Sequence, residues 1–357
     1  MVRLRAGHPR NGSPIRGSGI QGNWWGIAIG ADDRVSLSNF TGDDPADFTS
    51  PSFVGGNATS LFASDGTALS PRTGFTNGAL HTPQGIAVDQ RGNVWIANHG
   101  NATVTEYPLG NPSQARVVAG GGLHNPFAVE ADGRRNVWVD NGSLHTSVAG
   151  SLTKITPDGQ AIGPFPAGGM RSPHGMAFDS AGDLWVASLA NSNATRFAAN
   201  GTVRAQYRGP SLQGAWSVAI DGDGNVWVAS FLGQKLTELC ARNTAHCTPR
   251  HEDRGVRLSV TAWLDQRGLQ HVTAVQVDQS GNVWVANNWE TINPIVGGDG
   301  SVKFIGAAAP VATPLIGCRN ARIADRRRSG TGMGTLPSLR GWRGRGQPSS
   351  ISRCLLM

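Results

Sequence analysis

Charge is scarce in this sequence: charged residues make up only 15% of the 357. Lys is nearly absent, with Lys154, Lys235 and Lys303 alone, and Tyr falls to 2. Apolar residues nevertheless reach 39%, too many, with too little charge, for a disordered chain. No stretch approaches the run of about 18 apolar residues that a membrane helix needs, so no helix-spanning membrane protein is expected. Cysteine is sparse, at Cys240, Cys247, Cys318 and Cys354. No C-x-x-C pair occurs, which excludes a zinc ribbon or a thioredoxin-like site. Cys240 and Cys247 flank a short loop and read equally as a disulfide or as two free thiols. There is no Walker loop, no G-x-S-x-G elbow and no H-E-x-x-H. Residues 17–22, GSGIQG, match G-x-G-x-x-G, but no strand pattern precedes them and no helix pattern follows, so they are not a dinucleotide fingerprint.

The net charge of +7 suggests nucleic acid until its location is read. Residues 318–357 carry nine Arg against the single acid Asp325, and residues 1–20 carry four Arg and no acid. The body, 21–317, is left five charges negative, which is not a basic groove, and no nucleic-acid partner is expected. The preference for Arg over Lys fits a GC-rich, bacterial genome. Residues 1–22 read as an irregular basic segment without the apolar run of a signal peptide. Residues 318–357, an Arg-rich tail, lack any periodicity and read as disorder or as translation past the end of the natural frame.

What is abundant is Gly, at 49 residues, and Trp, at 11. Gly has no three-residue period, so collagen is excluded. A repeat explains both residues. It stands as GIAVDQRGNVWIAN at 85–98, AVEADGRRNVWVDN at 128–141 and GMAFDSAGDLWVAS at 175–188. It returns as SVAIDGDGNVWVAS at 217–230 and AVQVDQSGNVWVAN at 274–287. A degenerate copy, GIAIGADDRVSLSN at 26–39, has Ser36 at the Trp position and Gly30 at the Asp position. The Trp positions 36, 95, 138, 185, 227 and 284 are separated by 59, 43, 47, 42 and 57 residues. A base period of about 42–47 is that of a four-stranded propeller blade. Each copy reads as two short buried strands joined by D-x-x-G-N hairpin chemistry. Further strands follow at 103–107, 151–155, 194–197, 235–239 and 301–305. The Trp is expected to fill the space between sheets, and Asp89, Asp132, Asp179, Asp221 and Asp278 to form turns. The expected fold is all-β: a six-bladed β-propeller of four-stranded antiparallel blades over 23–317, with the first blade degraded, the last closed by 301–315, and an insertion at 241–270.

Propeller geometry places two rings at one channel mouth. Eleven residues before each Trp position stand Trp25, Gln84, Phe127, His174, Trp216 and Thr273. Three residues after it stand Asn39, Asn98, Asn141, Ser188, Ser230 and Asn287. Together they read as a funnel with aromatic and imidazole walls and polar anchors, suited to a small organic molecule. His99, His145 and the run 287–290, including Glu290, are expected on the same face.

The repeats resemble those of NHL-type propellers, and more narrowly the streptogramin B (virginiamycin B) lyase-like group, with its P-x-G-I-x-x-D-x-x-G-x-x-W runs. The likeness extends over roughly 23–306. It implies the fold, and commonly an exported or periplasmic protein. In that group a similar Pro-His-Gly entry supplies a catalytic His, and a Glu two positions earlier and a second His surround a magnesium ion. Here Pro173-His174-Gly175 matches, Ser172 stands at the Glu position, and Trp216 and Thr273 take the neighbouring entries. Glu290 is the nearest carboxylate. The cofactor is left open, a divalent metal such as magnesium or calcium being the candidate. The expected function is binding of a small ligand or protein partner at the channel mouth by a monomeric propeller. The alternative is a lyase or lactone hydrolase with His174 as its base.

Overall fold

The structure is a computed structural model, and it describes residues 20, 24–41, 55–142, 149–239, 252–253, 256–259, 269, 271–287 and 300–311. Among these residues there is no α-helix, only short 3-10 turns, and the strands form six antiparallel sheets. The first sheet joins β1 (Trp24–Ile29), β2 (Val35–Thr41) and β3 (Gly55–Phe62). The second joins β4 (Pro83–Val88), β5 (Val94–Asn98), β6 (Thr103–Tyr107) and β7 (Arg116–Val118). The third holds β8 (Pro126–Ala131), β9 (Val137–Asn141), β10 (Ala149–Ile155) and β11 (Ala161–Arg171). The fourth holds β12 (Pro173–Phe178), β13 (Leu184–Ser188), β14 (Asn193–Phe197) and β15 (Val203–Arg208). The fifth has β16 (Ala215–Ile220), β17 (Val226–Ser230) and β18 (Lys235–Leu239), followed by β19 (Glu252–Asp253) and β20 (Val256–Ser259), with β20 beside β18. The sixth has β21 (Val272–Val277), β22 (Val283–Asn287) and β23 (Gly300–Phe304).

Sheets two to four have the expected four strands in sequence order. Sheets one and six show three among the described residues, and the fifth has five, its fourth and fifth strands, β20 and β19, coming from the insertion. The four cysteines, Trp263, His145, Glu290 and both chain ends lie outside the described residues.

Each repeat folds as its chemistry dictates. Asp89 Oδ1 accepts the N–H groups of Arg91 and Asn93, and Gly92 takes φ +83°, closing the β4–β5 hairpin. The other carboxylate oxygen does something the sequence did not reveal. It accepts the indole N–H of the repeat's own Trp: Trp95 on Asp89 at 3.0 Å, Trp138 on Asp132 at 3.3 Å and Trp185 on Asp179 at 3.2 Å. Trp227 on Asp221 at 3.2 Å and Trp284 on Asp278 at 2.9 Å complete the set. The Asp is therefore both turn former and anchor for the ring.

The anchored rings fill the seams between sheets. Trp95 packs with Val129, Val137 and Val139 of the third sheet, and Trp185 with Val218, Val226 and Val228 of the fifth. Nearer the axis, at three of the seams, the sheets approach too closely for a side chain. A Cβ on Gly26 would lie 2.5 Å from the Gln84 carbonyl, one on Gly85 2.5 Å from that of Phe127, and one on Gly175 2.6 Å from that of Trp216. The glycine that opens G-I-A-V is thus required by contact with the next inner strand. In the first sheet, Ser36 leaves an open cleft where a Trp stands elsewhere, lined by Ile86, Val94, Tyr107 and the hydroxyls of Thr59 and Ser60.

Candidate functional site

The inner strands begin at a common centre, and four of the six expected entry residues meet there. Phe127 and His174 have ring centroids 4.2 Å apart, and His174 and Trp216 4.4 Å apart. Trp25 lies over them, 5.3 Å from Phe127 and 5.9 Å from Trp216. These rings come from the first, third, fourth and fifth sheets, so the contact spans the axis. His174 is 3% exposed. Gln84 is also fully buried, and neither polar atom of its amide has a hydrogen-bond partner. Thr273 is half-buried at the sixth entry.

The second ring does not join this floor. Asn98 Nδ2 donates to Thr103 Oγ1 at 3.1 Å and to Thr105 Oγ1 at 2.8 Å. Asn141 repeats the pattern with Ser151 and Thr153, and Asn39 donates to Ser60. Ser230 donates to the Ser211 carbonyl. These groups are buried and turned onto the third strand or an adjoining loop of their own sheets. Ser188 is fully buried, and Asn287 is half-buried at the end of β22. The expectation of one continuous funnel is therefore corrected by one residue. Strand side chains alternate, so when the Asn or Ser faces the sheet, its successor faces the axis. Those successors include Phe40, His99 and Phe231. Phe40 lies 5.4 Å from Trp25, Phe231 4.8 Å from Trp216, and His99 6.3 Å from Phe127. His271 joins 4.7 Å from Phe231. His99 was legible in the sequence; Phe40 and Phe231 would have been found by counting one position further from the Trp.

The site's electrostatics follow from this burial. His174 Nδ1 lies 2.7 Å from the Ser172 carbonyl. A carbonyl only accepts, so Nδ1 carries the hydrogen and the neutral ring's lone pair is on Nε2. Burial lowers the pKa of His99; the carbonyls of Pro126 and Asn125 raise it in part, and His124 lowers it further. The lyase-like magnesium set does not fit here. Ser172, at its Glu position, offers its carbonyl to the imidazole, and among the described residues no three His, Cys, Asp or Glu side chains gather to hold a metal.

One carboxylate stands beside the floor. Asp140 is fully buried, and its Oδ1 accepts the N–H of Phe127 at 3.2 Å and of Ala128 at 2.7 Å. Burial pushes its pKa up to about 8, against the lowering effect of those two N–H groups. The corresponding position is Ala97, Ala187, Ala229 and Ala286 in four other repeats, so the sequence marked it only as a departure.

No family model matches this chain, and no curated protein sequence matches it. Among solved structures, virginiamycin B lyase of Staphylococcus aureus matches with a TM-score of 0.54 at 12% identity, over 82% of this chain and 85% of that one. A luciferin-regenerating enzyme matches with a TM-score of 0.54 at 11% identity, over 84% and 98%. A streptogramin B lyase matches with a TM-score of 0.50 at 14% identity, over 75% and 90%. At these identities the likeness is one of fold: the chain is a β-propeller.

Proposed function

We propose that this propeller binds a small, largely apolar organic ligand at its channel mouth, against the aromatic floor around His174. The observation that carries the reading is the meeting of Trp25, Phe127, His174 and Trp216 from four sheets at one point on the axis. The fold does not require aromatic side chains there, since Gln84 and Thr273 occupy the same repeat position. Rings with few polar anchors suit a hydrophobic or aromatic ligand face. The set Trp25, Phe127, His174 and Trp216, flanked by Phe40, His99, Phe231 and His271, replaces the Asn/Ser ring as the proposed contact surface.

A second reading is lyase-type opening of a cyclic ester, and it rests on the tautomer of His174. With Nδ1 held by Ser172, Nε2 is the basic atom. It would take the α-proton; the C–H electron pair becomes a Cα=Cβ double bond as the bond from Cβ to the ester oxygen breaks, and that bond's pair leaves on the carboxylate. One solved S. aureus virginiamycin B lyase structure holds quinupristin, which makes that compound a direct probe. Quinupristin is added to the wild-type chain and to His174→Ala, and melting temperature and ring opening are followed together. A melting shift without turnover supports a binder. Turnover that falls about 10²–10⁴-fold in His174→Ala supports the base. Neither effect, with quinupristin or with a panel of hydrophobic lactones, would sink both readings.

A further inference from the structure

Ser38 and Asp140 occupy the same repeat position, two residues past the Trp position. The Ser38 hydroxyl accepts the N–H of Gly26 at 2.8 Å, on its own inner strand, and donates to the carbonyl of Gln84, on the next sheet's inner strand. Asp140 makes the first contact in the same register: its Oδ1 accepts from Ala128, the repeat equivalent of Gly26. Its Oδ2 is buried without a hydrogen-bond donor. The repeat equivalent of Gln84 for this seam is His174. In three other seams the carbonyls of Gln84, Phe127 and Trp216 lie beside the preceding sheet's equivalent of Ala128, which there is Gly26, Gly85 or Gly175. At this seam the Ala128 methyl keeps the His174 carbonyl farther off, where a side chain one atom longer than that of Ser38 is needed to reach it. A carboxylate oxygen facing a carbonyl would set two acceptors together in a dry seam, at a cost that only a proton removes.

We propose that the Asp140 carboxyl carries its proton in the folded protein and donates it to the main-chain carbonyl of His174, pinning the third sheet to the fourth beneath the channel mouth. Asp140 is a positioning residue here. That His174 also meets a ligand rests on the reading above; the pin itself does not.

The charged and titratable groups around it must be separated in any test. On its own sheet Glu130 pairs across from Trp138, and burial pushes its pKa up to about 7. The Lys154 amino group sits 5.5 Å over the Trp138 ring. From the fourth sheet the facing titratable group is His174. Both acids are raised, so each contributes stability that is full below pH 4 and lost as pH rises toward its folded value.

The experiment is therefore run in a Glu130→Gln background, using infrared spectra and melting curves between pH 4 and 9. The proposal expects a protonated-carboxyl band that persists at pH 7, fades as pH passes about 8, and is absent in Asp140→Asn. It also expects the melting temperature of the background chain, taken as its difference from Asp140→Asn at each pH, to fall from pH 4 to about 8; the other titrating groups, His99 among them, are common to both chains and cancel in that difference. The difference between Asp140→Ser, copying Ser38, and Asp140→Asn should stay level. A band lost by pH 5, or a background profile parallel to that of Asp140→Asn, overturns it. The infrared arm needs no variant at position 140 to fold, and none of these readouts depends on ligand binding.

Discussion

The indole Nε1 of Trp185 donates to Asp179 Oδ2 at 3.2 Å, and Arg196 reaches the same oxygen at 2.9 Å. Asp179 is thus the junction of a turn, a buried ring and a guanidinium that also bridges Asp183 at 2.8 Å. Removing it with Asp179→Ala leaves the buried indole N–H without its acceptor and leaves Arg196, largely buried, with Asp183 as its carboxylate partner. The expected loss is about 3 kcal/mol of unfolding free energy in urea titration. Trp185→Phe keeps most of the packing and loses only the donor, for about 1–2 kcal/mol. A Trp185→Phe variant as stable as the wild type would show that the Asp acts through the turn and Arg196 alone.

The third repeat carries a local misfit. Where Gly92, Gly182, Gly224 and Gly281 take positive φ, Arg135 does so at +69°. A side chain in this region costs about 1 kcal/mol, and Arg135 is exposed with no packing to lose. Arg135→Gly should raise stability by about that amount, read as a higher denaturation midpoint at unchanged m-value.

The fourth sheet breaks the polar pattern of its neighbours. Ser188 Oγ, both polar atoms of Asn193 and Thr195 Oγ1 are buried without hydrogen-bond partners. In the second sheet Asn98 spans Thr103 and Thr105 at the same positions. The double variant Ser188→Asn, Asn193→Thr transplants that arrangement and should gain about 1–2 kcal/mol, with the single variants gaining less. A double variant no more stable than either single one would contradict the equivalence of the two sheets.

Acid should loosen the channel mouth through His99. Burial lowers its pKa below the ordinary value of 6.5, so the unfolded chain binds a proton first. The neutral ring's contribution is full above pH 6.5 and is lost as pH falls below it. Melting curves from pH 7.5 to 5 should show a steeper decline for the wild type than for His99→Gln.

Much of the architecture was legible because the repeat is a chemical instruction as well as a count. The strand expected at 103–107 is β6, and that expected at 235–239 is β18, residue for residue. The D-x-x-G-N hairpins close through their Asp carboxylates, as Asp89 and Asp221 do. The Trp–Asp bond escaped because it joins residues six apart that one hairpin brings together, and each already had a sufficient role. The site was half legible. Entry residues are fixed by the start of the inner strand, so Phe127, His174 and Trp216 could be placed by counting. The end of the second strand could not, because a strand's two faces differ by one residue and Asn suits both. Asp140 was invisible for another reason: its meaning depends on Ser38 and on the backbone carbonyl that the equivalent position meets across a sheet seam.

Glycine near the axis and tryptophan one strand further out have a joint geometrical effect. At Gly85 and Trp95, and again at Gly175 and Trp185, two neighbouring sheets are drawn together at one edge and held apart at the other, so those seams are tapered like stones in an arch. In the first seam Gly26 keeps the narrow edge while Ser36 stands where the wide residue should be, and the unfilled width remains as the cleft lined by Ile86, Val94 and Tyr107.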